Sequence, residues 1–309
     1  MCEALSSQQD LRREHRSGVA FALAAVAVLS PDSLIVRTVN VPDEVVLLWR
    51  GSLVGAVLLA LTARRGDVGR RFATAGAGGI AAGCCWAIAT FLFVYSVRRT
   101  DVASTLVIVG AGPVFAAALE RVALREPIPR RTWLASIGVA VGVAWIFAGS
   151  LGGSAFAGDV AALGGSLAYA TFLTLLRRGR ATDMTPALVM GGAVTALAAL
   201  ATGGAAMMPS ARDVALLVLL GAAIVPTSLL LTSLAARHIR AAEISLLGRL
   251  ETVLGPLWVW LVLGDAPPPQ VVAAGALIVA VTTLHSIAAL RADARESAAP
   301  SAHVVDVNG

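Results

Sequence analysis

Two opposite charges, Arg249 and Glu251, stand in the apolar stretch EISLLGRLETVLGPLWVWLVLGD, residues 243–265. Other apolar runs carry Asp32, in LSPDSLIVR, Arg50, in LLWRGSL, and also Trp86 and His285. A carboxylate in such a setting can take a proton or bind a cation. A guanidinium can anchor a carboxylate or phosphate, because its planar fork matches them. Histidine titrates near neutral pH and can pass a proton on. An indole can line a cavity or simply pack. Whether these side chains act together depends on the elements that position them.

Composition sets the first bound. The 309 residues are 57% hydrophobic and only 14% charged, with a mean hydropathy of +0.80. A soluble protein of this size needs far more polar surface, so the chain reads as a membrane protein. All 24 basic residues are arginine. They are spread over short loops, so a sequence pI near 10 reflects membrane topology and not a nucleic-acid partner. The arginine-only, Ala- and Gly-rich composition has the bias of GC-rich coding and points to a bacterial inner (plasma) membrane. Cys2, Cys84 and Cys85 have neither metal nor disulfide spacing. No metal and no cofactor is expected.

A membrane helix needs roughly 20 apolar residues. Ten stretches qualify: 18–37, 44–63, 73–97, 101–120, 131–149, 158–177, 185–207, 213–235, 240–264 and 270–290. Counted over alternate loops, seventeen arginines fall on one side, from Arg12 through the groups around Arg64, Arg125, Arg178 and Arg237 to Arg295. Four fall on the other: Arg37, Arg98, Arg99 and Arg212. The positive-inside rule then puts both termini in the cytoplasm. Residues 1–17 and 291–309 are expected as cytoplasmic tails, the second one flexible.

The two halves, 18–149 and 158–290, resemble each other. TLVIVGAGPVFAAALERVALREP from Thr105 lies against ISLLGRLETVLGPLWVWLVLGDAP from Ile244 at an offset of 139. Five helices per copy is an odd number, so the second copy enters the membrane upside down. The expected fold is therefore an all-α integral membrane protein of ten transmembrane helices in two inverted five-helix repeats. Inverted repeats are a mark of secondary transporters, with the substrate site near the midplane.

Depth can be read as well. Glu251 lies eleven residues beyond Arg240, roughly 16 Å along a helix and about half of a 30 Å hydrocarbon core. A charge there costs about 2.5–3.5 kcal/mol on insertion scales, so it should face the bundle interior or a wet cavity. Arg249 and Glu251, two apart, point to different helix faces and do not pair locally. For Glu251 two readings stand: a proton- or cation-binding carboxylate, or a buried tie between helices. Arg249 is either a substrate anchor or the partner of a carboxylate on another helix. Asp32 and Arg50 enter antiparallel neighbours at comparable depth, so an ion pair is expected, structural or gating. Pro31, Pro113, Pro226 and Pro256 fall inside spans and should kink or break them. Gly51/Gly55, Gly79/Gly83 and Gly138/Gly142 form small-xxx-small faces for close helix packing.

Together these stretches resemble the drug/metabolite transporter superfamily, specifically its EamA-type ten-helix transporters. The likeness is carried by LLWRGSLVGAVLL (Leu47–Leu59), GAGPVFAAALERVALREP (Gly110–Pro127), FAGDVAALGGSLAYATFLTLLRR (Phe156–Arg178) and LETVLGPLWVWLVLGD (Leu250–Asp265). It implies coupled transport of a small metabolite or drug-like molecule, amino-acid-like above all. Export is implied, with protons or an exchanged solute as the coupling partner. Thr252, Asp265 and Arg249 depart from the pattern that the resemblance implies. The expected partners are a small-molecule substrate and the lipid bilayer, with no nucleic acid, in a monomer or homodimer. The alternative is a membrane-embedded enzyme acting on a lipid-linked substrate. That class needs acid–base or nucleophilic groups clustered at one membrane surface. The chain has no HExxH, no nucleophile elbow and no Walker loop, so no catalytic residue and no ATP-driven pump is expected.

Overall fold

A computed structural model describes residues 2–112, 114–115, 118–119, 130–151, 153–179, 182–238, 247–248 and 250–298. Two expected functional positions, Pro113 and Arg249, lie outside the described residues. The described residues are helical, with no strand. In chain order the helices are α1 Cys2–Leu29, α2 Asp32–Thr38, α3 Asp43–Arg64, α4 Val68–Arg99 and α5 Val102–Val109. Then come α6 Arg130–Ser150, α7 Ala155–Arg178 and α8 Thr185–Ala201. The rest are α9 Ala211–Val218, a π-turn Leu219–Ile224, α10 Val225–His238, α11 Leu250–Leu263 and α12 Pro269–Ala298.

Five helical stretches are long and apolar enough to cross a membrane: His15–Thr38, Asp43–Arg64, Val68–Arg99, Ala155–Leu176 and Ala211–Ala235. Shorter apolar helices fill in at Ile137–Ser150, Thr185–Ala201, Leu250–Leu263 and Pro269–Val281. The expected N-terminal tail is itself helical from Cys2. No Gly or Pro interrupts residues 2–17, and Leu, Gln, Arg and Glu sustain a helix at low cost. At the other end α12 continues past Arg291 to Ala298. Part of the tail expected to be flexible is therefore helical, for the same reason: its Ala, Arg and Glu favour the helix and the first proline comes at Pro300.

The prolines act differently from one another. Pro31 has no N–H to donate, and the helix stops at Leu29 and restarts at Asp32. Pro226 cannot bond back to the carbonyl four residues earlier. The backbone upstream widens into the π-turn, closed by the Val225 N–H on the Leu220 carbonyl. Pro256 sits inside α11, which runs through it without a break. Helix α4 is kinked at Gly76, whose φ of +52° suits glycine alone.

Packing crosses from one half of the chain to the other. Helix α3 lies on α8, α4 on α7 and α8, α1 on α10, and α6 on α12. Helix α5 touches α7, α11 and α12. Lipid tails are as apolar as leucine, so helix association in a membrane comes from close packing and hydrogen bonds. Glycine makes that closeness possible here. A Cβ on Gly192 would stand 2.8 Å from the Gly51 carbonyl oxygen and the Gly55 nitrogen. One on Gly83 would stand 2.6 Å from the Ala187 carbonyl oxygen. Gly138 and Gly142 likewise receive Val281 and Ile278 of α12.

A tie at one end joins the start of α4 to the start of α8. The Arg71 guanidinium meets Asp183 Oδ2 at 2.5 Å, while Thr185 Oγ1 and N–H donate to Asp183 Oδ1 at 2.6 and 3.0 Å. Burial pushes the Asp183 carboxyl up. The bonds from Thr185 and Arg71 outweigh it and hold it below its ordinary value.

Two outcomes follow from this packing. Gly192→Val should destabilise the protein by about 1–3 kcal/mol through overpacking. Gly78→Ala, where a Cβ meets nothing within 4 Å, should leave melting in detergent unchanged or slightly raised. The depressed Asp183 value means that its ionised form stabilises the fold above pH about 4 and loses that effect as the pH falls further. Melting temperatures of wild type and Asp183→Asn should therefore differ at neutral pH and converge in acid.

Candidate functional site

The break at Ser30 and Pro31 places Asp32 in the first turn of α2, where the helix dipole favours a negative charge. Its side chain is buried, at 3% exposure. Arg50 of α3 reaches it with Nη1 to Oδ1 at 2.5 Å and Nη2 to Oδ2 at 2.8 Å. The pair is bidentate, and Arg50 is itself only 6% exposed. Its guanidinium carbon stands 5.9 Å from the centre of the Phe93 ring, within cation–π range. Two buried polar atoms beside this pair, Arg50 Nε and Ser33 Oγ, have no hydrogen-bond partner among the described residues.

Helix α11 closes on α2 from another side. A Cβ on Gly255 would stand 3.2 Å from Ser33 Oγ and 2.2 Å from Leu106 of α5. Glycine is thus required at 255 for α11 to come so near. Glu251 is one helical turn earlier, on the same face. It is half-buried and interacts electrostatically with both Asp32 and Arg50. Tyr169 of α7 is in turn within electrostatic reach of Glu251. Farther along α11, Trp258 Nε1 donates to Ser30 Oγ at 3.0 Å. Asp32 of α2 and Arg50 of α3 thus pair inside the bundle, with Glu251 of α11 within electrostatic range of the pair and Tyr169 of α7 within range of Glu251.

The expected residues fare unequally. Asp32, Arg50 and Glu251 come together. Trp86 is 4% exposed within the main apolar core, and its ring edge would lie 2.9 Å from a Cβ on Gly191. It therefore packs α4 against α8. His285 is on α12, and its side chain lies outside the described residues. Pro226 shapes the π-turn and is not part of the cluster. Tyr169, Phe93 and Ser33 were missed. One signal was available: Tyr169 is one of two tyrosines in the chain, and it sits in the middle of a mainly apolar helix.

A second polar region joins the ends of α2, α3 and α4. Arg98 Nε meets Asp43 Oδ1 at 2.7 Å, and Arg99 pairs with Asp43 Oδ2. Arg98 Nη2 also donates to the Val41 carbonyl at 2.7 Å, and Arg37 Nη1 donates to the Val97 carbonyl at 3.0 Å. The Arg99 guanidinium carbon lies 3.8 Å from the centre of the Tyr95 ring. The Asn40 N–H reaches Asp213 Oδ1 at 3.3 Å. In sequence, Arg37, Arg98 and Arg99 were loop charges and nothing more. In the fold they tie the ends of α2, α3 and α4 together.

Residues 16–148 match the model of the EamA-like transporter family. Over that stretch, somewhat less than half of the chain, the sequence is similar to EamA-like transporters. A solved crystal structure of a protein, 17% identical, covers 90% of this chain and 99% of that chain with a TM-score of 0.64. At that identity it speaks for the fold alone, which is shared over nearly the whole chain. No curated protein matches the chain.

Removing one partner of a buried pair leaves the other charge uncompensated, at a cost of about 3–5 kcal/mol. Asp32→Asn and Arg50→Leu should each lower detergent-solubilised stability by that order. The double variant should recover part of the loss, as a double-mutant cycle by thermal melting would show.

Proposed function

We propose that this chain is a secondary active transporter. It moves a small, amino-acid-like metabolite or drug-like molecule across a bacterial inner membrane, outward, by alternating access coupled to protons or exchange. The observation that carries this reading is the gathering of Asp32, Arg50, Glu251 and Tyr169 between helices of both halves. A membrane enzyme would need such groups beside one membrane surface, whereas the Asp32–Arg50 pair is buried inside the bundle.

The packing pattern supports two inverted five-helix repeats with both termini cytoplasmic. Counting α1–α2 as the first helix and α9–α10 as the eighth, the second packs on the seventh, the fourth on the ninth and the fifth on the tenth. The first packs on the eighth and the third on the sixth. A two-fold relation that exchanges the halves maps the first three pairings onto themselves and the last two onto each other. Two near-equivalent halves permit two near-equivalent states, each open to one side.

In this scheme Arg50 is shared. Asp32 holds it in the described state, and Glu251 lies within its electrostatic reach. Proton uptake at a Glu251 oxygen removes the competing negative charge and leaves Arg50 to Asp32. Proton loss lets Glu251 compete for the guanidinium or receive substrate. The laced end formed by Arg37, Asp43, Arg98 and Arg99 is on the outer side in this orientation. It closes the route outward while Arg50 is held by Asp32.

A toxicity and secretion screen with the overexpressed gene identifies the transported compound. Flux of that compound in proteoliposomes should then lose its pH dependence in Glu251→Gln and in Asp32→Ala, with both variants still monodisperse on gel filtration. Wild-type pH dependence in the two variants would remove these residues from the coupling step.

A further inference from the structure

A buried acid lies apart from the Asp32–Arg50 pair, near the start of α7. Asp159 is 1% exposed. Thr100, at the end of α4 and itself buried, donates its hydroxyl to Asp159 Oδ1 at 2.8 Å. Oδ2 is shut away from water and has no hydrogen-bond partner among the described residues. The joint is tight: a Cβ on Gly158 would stand 2.9 Å from the Thr100 Cβ. Phe147 and Phe156, edge to face with ring centres 5.5 Å apart, hold the end of α6 on the start of α7.

Other shielded carboxylates have their answer. Asp32 has Arg50, Asp43 has Arg98 and Arg99, and Asp183 has Arg71. Asp213 takes the Ser210 hydroxyl and the Asn40 N–H. None of the described ion pairs includes Asp159. The elements around it supply no cation. On α4, Arg98 and Arg99 are turned to Asp43. Ahead of α5 stands Asp101, of the same sign and within electrostatic reach. Helices α6 and α7 carry their only other charges at their far ends, Arg130, Arg131, Arg177 and Arg178. The Ser150 hydroxyl at the end of α6 is near, but it donates to the Phe147 carbonyl at 3.2 Å. An ionised Asp159 would keep an unanswered oxygen out of water beside a second negative charge, at high cost. The neutral acid carries no such cost.

We propose that Asp159 binds a proton from the outer side, and that this proton keeps α7 docked on the end of α4. The proton sits on Oδ2, while Oδ1 goes on accepting from Thr100. When it leaves, the bare carboxylate is drawn to water, and water reaches it when the start of α7 parts from Thr100. The ligand needs no cavity, which suits a joint packed this closely. Residues 98–100 tie α4 to α3 through Asp43 and to α7 through Asp159. In the transport scheme above, Asp159 is the group through which the outer pH governs opening at this end, separate from Glu251 in the interior. Proton binding rests on the joint alone. Its outer placement and its part in transport rest on the reading proposed above.

Two measurements on the full chain test this. In the first, pH-jump infrared difference spectra of purified protein in liposomes follow the carbonyl stretch of protonated carboxyls. Raising the pH should remove a band that is missing from Asp159→Asn. Asp159→Ser repeats the comparison should the asparagine variant fail to stay monodisperse on gel filtration. Identical difference spectra with and without Asp159 would overturn the proton site, whatever the protein transports. The second uses a chain with Cys2, Cys84 and Cys85 replaced by alanine and Ala162→Cys added. Ala162 is fully buried one turn along α7 from Asp159. Intact cells are labelled with a membrane-impermeant maleimide as the outer pH is raised across neutrality. Met208→Cys, at a position 86% exposed, is the reference that corrects for thiol ionisation. Labelling at 162 relative to 208 should rise several-fold with pH. It should stay low in Asp159→Asn and still rise in Glu251→Gln. A ratio that ignores pH, or that rises equally in Asp159→Asn, would overturn the docking role. A response only to the inner pH, seen in inverted vesicles, would overturn the outer placement and the proposed orientation, and the infrared result would still decide proton binding.

Discussion

A charge in a low-dielectric interior is tolerated only beside its opposite. The Asp32–Arg50 pair meets that condition, and much of the surrounding structure serves it. The first span is interrupted at Ser30 and Pro31 so that Asp32 falls on the first turn of a new helix. The second span enters so that Arg50 arrives at the same depth with both nitrogens directed at one carboxylate. Phe93 covers the guanidinium from α4. Helix α11 brings Glu251 within reach because Gly255 lets it lie almost against Ser33 and Leu106. Without the pair, each of these approaches would bring a helix towards an unshielded charge.

The glycine contacts are the other half of the same arrangement. Polar side chains can share one interior point only if the backbones around it pass close together. Gly51 and Gly55 meet Gly192, and Gly83 meets Ala187 and Gly191, all from opposite halves of the chain. Trp86 belongs to this framework. Its ring fills the space that Gly191 leaves, which makes it a spacer between α4 and α8 and not a wall of the site.

Much of this was legible in the sequence. Apolar runs bounded by arginine fixed where the helices lie, because water and lipid impose a composition at every boundary. Asp32 and Arg50 were recognisable as partners because they enter antiparallel neighbouring helices at comparable depth. The nearness of Glu251 to Tyr169 was not legible, since 82 residues separate them and only helix packing brings them together. The extension of α1 back to Cys2 was hidden by polarity: residues 2–17 are polar enough to read as a tail, yet their helix propensity is high. The π-turn was hidden too, because Pro226 announces a disturbance without saying whether the helix will kink, stop or widen. Pro256, in a similar setting, does none of these in α11.

That π-turn has a consequence for the whole bundle. Each residue of a regular helix turns the next by about 100°, and a wide turn takes in roughly one residue more than a regular one. The apolar stripe of α9 is therefore out of rotational phase with that of α10. The two ends of this span serve different neighbours: α9 and the turn lie against α3, whereas α10 lies against α1. One continuous helix thus presents two differently aimed faces without bending its axis sharply. Each neighbour thus packs on its own stretch of the span, α3 mainly on the first part and the turn and α1 on the second.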